Sequence, residues 1–170
     1  MDRLDQLLGV TSLAVLDRLR AAVGDDADLG EAEAGALVHM QAWPGGSVNE
    51  LAGVVGRSQP ATVRLVDRLV ERGLVRREPG PDRRTAALVL TEAGSHVADT
   101  VLAARAKVLA CLMGNLSAAE RRAFERLLSR VVSGLAADRR SAVHICRLCD
   151  REACMAGPGC PLEHTQGSFR

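Results

Sequence analysis

The chain contains no tyrosine, one tryptophan and two phenylalanines among 170 residues. Without large rings, a core has to be filled mainly by leucine, valine and alanine, which favours helices. Lysine is almost missing as well: one lysine stands against 21 arginines. With abundant alanine, that balance fits a GC-rich bacterial genome. No run of about 18 apolar residues occurs, so no transmembrane helix is expected. The start, MDRLDQLLGV, carries acids and no apolar signal core. A secretory leader is therefore not expected, and cytoplasmic residence is the default. In a reducing compartment, clustered cysteines point to metal or redox chemistry before structural disulfides. What is present is a globular composition, 47% apolar with a net charge of +1. The length suits one domain, or one domain with a tail.

The stretch SVNELAGVVGRSQPATVRLVDRLVERGLVRREPGPDRRTAALVLT, residues 47–91, organises the rest. Ser47 followed by Glu50 forms a capping box that opens a helix, whose apolar face is Leu51, Val54 and Val55. Gly56-Arg57-Ser58 breaks it. Ser58 can cap a second helix over about Gln59–Arg72, and Pro60 is tolerated in a first turn. Val63, Val66, Leu69 and Val70 are expected inward, with Gln59, Thr62, Arg64 and Arg68 outward. Gly73 suits the helix stop. Leu74–Glu78 and Thr85–Leu90 read as strands joined by Pro79-Gly80-Pro81-Asp82, with Arg83 and Arg84 at the tip. Residues 57–84 hold eight arginines and four acids, a net +4, so the remainder of the chain is −3. Positive charge is concentrated where a polyanion would meet a helix-turn-helix.

This stretch resembles the winged helix-turn-helix of the MarR family of bacterial transcription regulators. The carrying residues are SQPATVRLVDRLVERGLV, then DRRTAALVLTEAG with Asp82, Arg84, Leu88, Leu90, Thr91 and Gly94. The likeness covers roughly Leu4 to Ala137 and stops before the cysteines. It implies a mainly α fold with a small β-hairpin wing and dimerisation helices from both chain ends. It further implies a second helix in the major groove of double-stranded DNA and a wing tip in the adjacent minor groove.

Gln59, Thr62 and Arg64 are then base-reading candidates, since glutamine can bond adenine and arginine guanine in a bidentate way. Arg57, Ser58, Arg68 and Arg76 are placed at the same surface, the arginines as phosphate contacts that set register. Arg83 and Arg84 suit a narrow minor groove, with Asp82 shaping the wing. Each single arginine can equally belong to an internal ion pair: Arg64 or Arg68 with Asp67 or Glu71, and Arg84 with Asp82.

Around this centre, residues 1–28 read as an N-terminal dimerisation helix (over about Asp2–Val23, then a loop). Residues 29–91 form the DNA-binding domain, residues 92–145 further dimerisation helices, and residues 146–170 a cysteine-rich tail. Thr91 can cap a long helix to about Gly114. Ser117 and Glu120 box another, with Phe124, Leu127, Leu128, Val131, Val132 and Leu135 on one face, extending towards His144. The first and last helices carry more apolar face than a small winged domain covers. That surplus is met by intrachain packing or by a homodimer. In the family, small ligands lie between winged domain and dimer helices; His39, Met40 and Trp43 could border such a crevice here, or simply pack.

The run HICRLCDREACMAGPGCPLEH places Cys146, Cys149, Cys154 and Cys160 at gaps of two, four and five residues, flanked by His144 and His164. Thiolates at this density can surround a soft cation, and the first pair has a common zinc spacing. No cofactor is certain; zinc is the candidate. Thiol oxidation, an iron–sulfur cluster and an inert mobile tail are the alternatives. Cys111 reads as a small buried hydrophobe and His96 as isolated. The expected function is a homodimeric, sequence-specific transcription regulator, a repressor on a pseudo-palindromic operator. Its affinity would be modulated by a small ligand or by the cysteines. An architectural DNA-binding protein without effector and a Cys-x-x-Cys oxidoreductase are the alternatives. No nucleophile with a base and an orienting group stands out, so an enzyme is not expected.

Overall fold

A computed structural model describes residues 2–27, 29–80 and 86–163. The described elements are helices α1 (Arg3–Ala27), α2 (Glu31–Ala42), α3 (Val48–Val55) and α4 (Gln59–Glu71), strands β1 (Val75–Pro79) and β2 (Ala86–Leu90), and helices α5 (Glu92–Met113), α6 (Ala118–Ser133), α7 (Arg139–Ile145) and α8 (Arg151–Met155). The fold is mainly α with a two-stranded antiparallel wing, as the sequence implies. Among the described residues no helix is long and apolar enough to cross a membrane.

The capping chemistry read from the sequence is present at α3. Ser47 Oγ accepts from the Glu50 amide, and Glu50 accepts from the Ser47 amide at 2.7 Å. Gly56 ends α3 at φ +64°, and Gly73 turns the chain out of α4 at φ +69°. Ser58 departs from expectation: its side chain caps nothing, and its carbonyl instead accepts from Thr62 Oγ1 at 3.0 Å. The wing register pairs Val75 with Leu90, Arg77 with Leu88 and Pro79 with Ala86. The first strand therefore begins one residue later than predicted, at Val75.

The core is small-ringed and tightly closed. Leu37, Val54, Leu65, Val66, Leu69, Leu88 and Val101 are all fully buried. Each such leucine contributes roughly 1.5–3 kcal/mol on burial. α2 runs through the middle, packed on α3 and α5, with Ala34–Val38 buried on every side. The Trp43–Gly46 turn is pinned to the wing: the Gly45 amide donates to the Leu88 carbonyl at 3.0 Å, and the Leu88 amide to the Gly46 carbonyl at 2.9 Å. Thr91 caps α5 by accepting from the Gly94 amide, while its hydroxyl donates to the Gly73 carbonyl at 2.7 Å.

Outside this core, α1 runs to Ala27 rather than stopping near Val23. α6 does not continue to His144. It ends at Ser133, and Asp138 caps a separate α7 by accepting from the Ser141 amide at 2.7 Å. The apolar face expected for α6 is there, but no residue of that helix is buried. Leu4, Leu7, Leu8 and Leu13 of α1 are likewise exposed, as are Phe124, Leu127, Val131 and Leu135. Cys111 is exposed rather than buried.

Candidate nucleic-acid interface

α4 presents one face to the core and one to solvent, and the inward set is Thr62, Leu65, Val66 and Leu69. Thr62 is fully buried, against the sequence expectation that it reads bases. Its hydroxyl is spent on the Ser58 carbonyl. Val63, expected inward, is 37% exposed. The apolar period expected from sequence is one residue out of phase, because threonine counts as polar yet is small enough to pack. The exposed surface of the turn and helix is Arg57, Ser58, Gln59, Pro60, Val63, Arg64 and Arg68.

The arginines divide by what they already hold. Arg68 donates from Nε to Glu33 of α2 at 3.1 Å, and also reaches the Arg64 carbonyl. Arg77 of β1 pairs with Asp67 of α4 at 2.7 Å, and Arg76 with Glu78 at 2.7 Å. Arg68 and Asp67 thus pair with groups distant in sequence, not with their helix neighbours. These contacts fix α4 against α2 and the wing against α4. Among the described residues, nothing pairs with Arg57 or Arg64, both exposed and flanking Gln59. Those two guanidiniums can meet an anion without first giving up a partner. Asp82, Arg83 and Arg84 lie outside the described residues; the pairing of β1 with β2 runs to Pro79 and Ala86.

His39 and Trp43 stack, with ring centroids 4.8 Å apart. Burial pushes the His39 imidazole down to about 4, with the Glu50 carboxylate opposing the shift. Met40 is buried in the core. Arg151 of α8 covers the Trp43 ring at 5.3 Å. A cavity lies elsewhere. About 810 Å³ in volume, it is walled by Leu16, Leu19 and Val23 of α1, Leu128 and Val132 of α6, and the cysteine tail. None of His39, Met40 and Trp43 lines it.

The tail is packed through Leu162, which is buried with Ala136 and Ala142 in a second small core that includes Cys146 and Cys160. His144 is drawn away from the cysteines: its Nδ1 lies 2.8 Å from the Val54 carbonyl, and its ring fills the space beside Gly56. His164 lies outside the described residues. Burial, with the neighbouring thiols, pushes the Cys146 thiol up to about 11 and the Cys154 thiol up to about 12; Cys149 is also raised.

A helix-turn-helix followed by a hairpin wing, with unpaired arginines on the exposed side of the second helix, defines a winged-helix DNA-binding protein. Residues 27–85 match the model of the MarR family. The apo crystal structure of MarR from E. coli is 25% identical at a TM-score of 0.64, over 78% of this chain and 98% of that one. A MarR family protein from Bacillus stearothermophilus is 26% identical at 0.68, over 76% and 90%. MepR, a transcription regulator of the Staphylococcus aureus multidrug efflux pump MepA, shares the fold at 19% identity and 0.67, over 78% and 98%. No curated protein sequence matches the chain. The winged-helix segment thus matches the MarR family, and the wider fold is similar to that of its solved members.

Proposed function

We propose that the protein is a homodimeric, cytoplasmic repressor that binds a pseudo-palindromic operator through α4 and the wing. The observation that carries this reading is the pair of exposed guanidiniums at Arg57 and Arg64, without partners among the described residues and on either side of Gln59. Gln59 and Arg64 are placed to read base edges, and Val63 offers a methyl surface to thymine. Arg57 sits at the helix-turn-helix corner, where a phosphate contact sets register. Arg68 acts chiefly in holding α4 on α2, given its bond to Glu33. The dimer is supported by the exposed apolar residues of α1 and α6, Leu4, Leu7, Leu8 and Leu13 on one and Phe124, Leu127 and Val131 on the other.

An effector acts by favouring one spacing of the two reading heads, and only through unequal affinity for the two spacings. The cavity and the cysteines adjoin α1 and α6, the helices that set this spacing. A thiol oxidoreductase is disfavoured: Cys146 caps the C-terminal end of α7, where the helix dipole opposes a thiolate, and its thiol is raised. Selection of bound duplexes from a random pool tests the reading. The expected outcome is an inverted repeat with half-site centres about 10 base pairs apart. Uniform retention without any enriched sequence would point to an architectural DNA-binding protein instead.

A further inference from the structure

The cysteines are gathered by backbone geometry. Gly157 and Gly159 take φ of +110° and +89°, conformations other residues rarely adopt, and the resulting loop returns Cys160 to Cys146. Cys146 contacts Cys160, Cys149 contacts Cys154, and Cys154 also contacts Cys160. The Leu162 amide points at Cys160 Sγ from 3.4 Å. Arg105 of α5 faces Cys146 and Cys149 and supplies opposite charge. All four sulfur-bearing residues line the same cavity wall.

The scaffold carrying them is clamped onto the winged domain at three separate points. His144 bonds the Val54 carbonyl of α3, Arg147 pairs with Glu31 of α2, and Arg151 covers Trp43. Gly35 and Gly53 admit the Arg147 and Arg140 side chains at van der Waals distance.

We propose that Cys146, Cys149, Cys154 and Cys160 together bind one zinc ion, and that this ion holds the α7–α8 segment as a clamp on α2 and α3. Four sulfur donors with short connecting loops suit a tetrahedral, borderline-soft dication. The sulfurs as they stand make pairwise contacts and no complete three-ligand cage among the described residues, so binding draws them together by side-chain rotation. Each thiol gives its proton to solvent, four protons for one zinc, leaving a site of net charge −2 that Arg105 partly offsets.

The test is a zinc titration of the reduced, tag-free full chain, read by metal analysis and by proton release in weak buffer. Cobalt serves as a spectroscopic stand-in, and hydrogen exchange reports on residues 139–163. The expected result is one equivalent of zinc, protons released on binding, tetrahedral cobalt–thiolate bands and slowed exchange across α7 and α8. Cys149→Ser should cut occupancy at least tenfold, while Cys111→Ser retains one equivalent. Less than one-tenth equivalent in the wild type would overturn the site. Iron with inorganic sulfide in the purified protein would overturn the choice of zinc. One equivalent bound with no change in exchange would overturn the clamp.

Discussion

Arg64 and Arg68 stand one helical turn apart on α4, yet their surroundings separate their roles. Arg68 is held by Glu33 and Arg64 by nothing among the described residues. Arg64→Ala should therefore weaken operator binding by about 1–3 kcal/mol, roughly 5- to 150-fold, and relax preference at one position in each half-site. Arg68→Ala should cost under about 1 kcal/mol of stability, as exposed ion pairs do, and leave base preference unchanged. Titrations against the selected duplex and its single-base variants separate the two. Gly94 makes a sharper case. A β-carbon there would lie 1.9 Å from the Leu74 carbonyl oxygen, where the start of α5 is bonded to the exit from α4. Gly94→Ala should cost about 2–3 kcal/mol in a urea melt. Gly9→Ala, in open space on α1, should be neutral or stabilising by up to about 1 kcal/mol.

At the scale of elements, the caps were legible because a cap is local: Ser47 with Glu50, Ser117 with Glu120, and Thr91 each satisfy amides within three residues. The phase of α4 was not. A buried threonine whose hydroxyl bonds back to Ser58 looks polar in sequence, and an exposed Val63 looks apolar; only the packing against α3 and β1 decides. The break between α6 and α7 was missed for a related reason. The Asp138 cap was there to be read, but the apolar face running through Leu135 suggested continuity. The cysteine spacing showed that a cluster could form, whereas the docking of its scaffold on α2 and α3 depends on contacts about 90 to 116 residues apart in sequence. The uncovered face of α6 gives a direct test. Leu127→Glu should leave helical circular dichroism intact and shift the species in sedimentation velocity from dimer to monomer. An unchanged dimer would place the interface elsewhere.

Across the whole molecule, acid should loosen the structure. His39 is held neutral by burial, with a value near 4 against 6.5 when free, so the folded state binds fewer protons than the unfolded chain in that window. Stability should thus fall as pH drops from about 6.5 towards 4, and His39→Gln should flatten the melting-temperature profile there. Glu31, held low by Arg147, adds to the loss below the usual carboxylate range and releases the tail from α2. Glu31 pairs with Arg147 of the tail and Arg20 of α1, joining both to α2 as one unit. The most direct measurement of that unit is fluorescence anisotropy of a selected duplex titrated with protein at several salt concentrations, with stoichiometry from sedimentation of the complex. Two protomers per duplex, an affinity that falls steeply with salt, and a shallower salt slope for Arg57→Ala are the expected result. A single protomer that leaves the duplex unbound even at about 50 mM salt would contradict it.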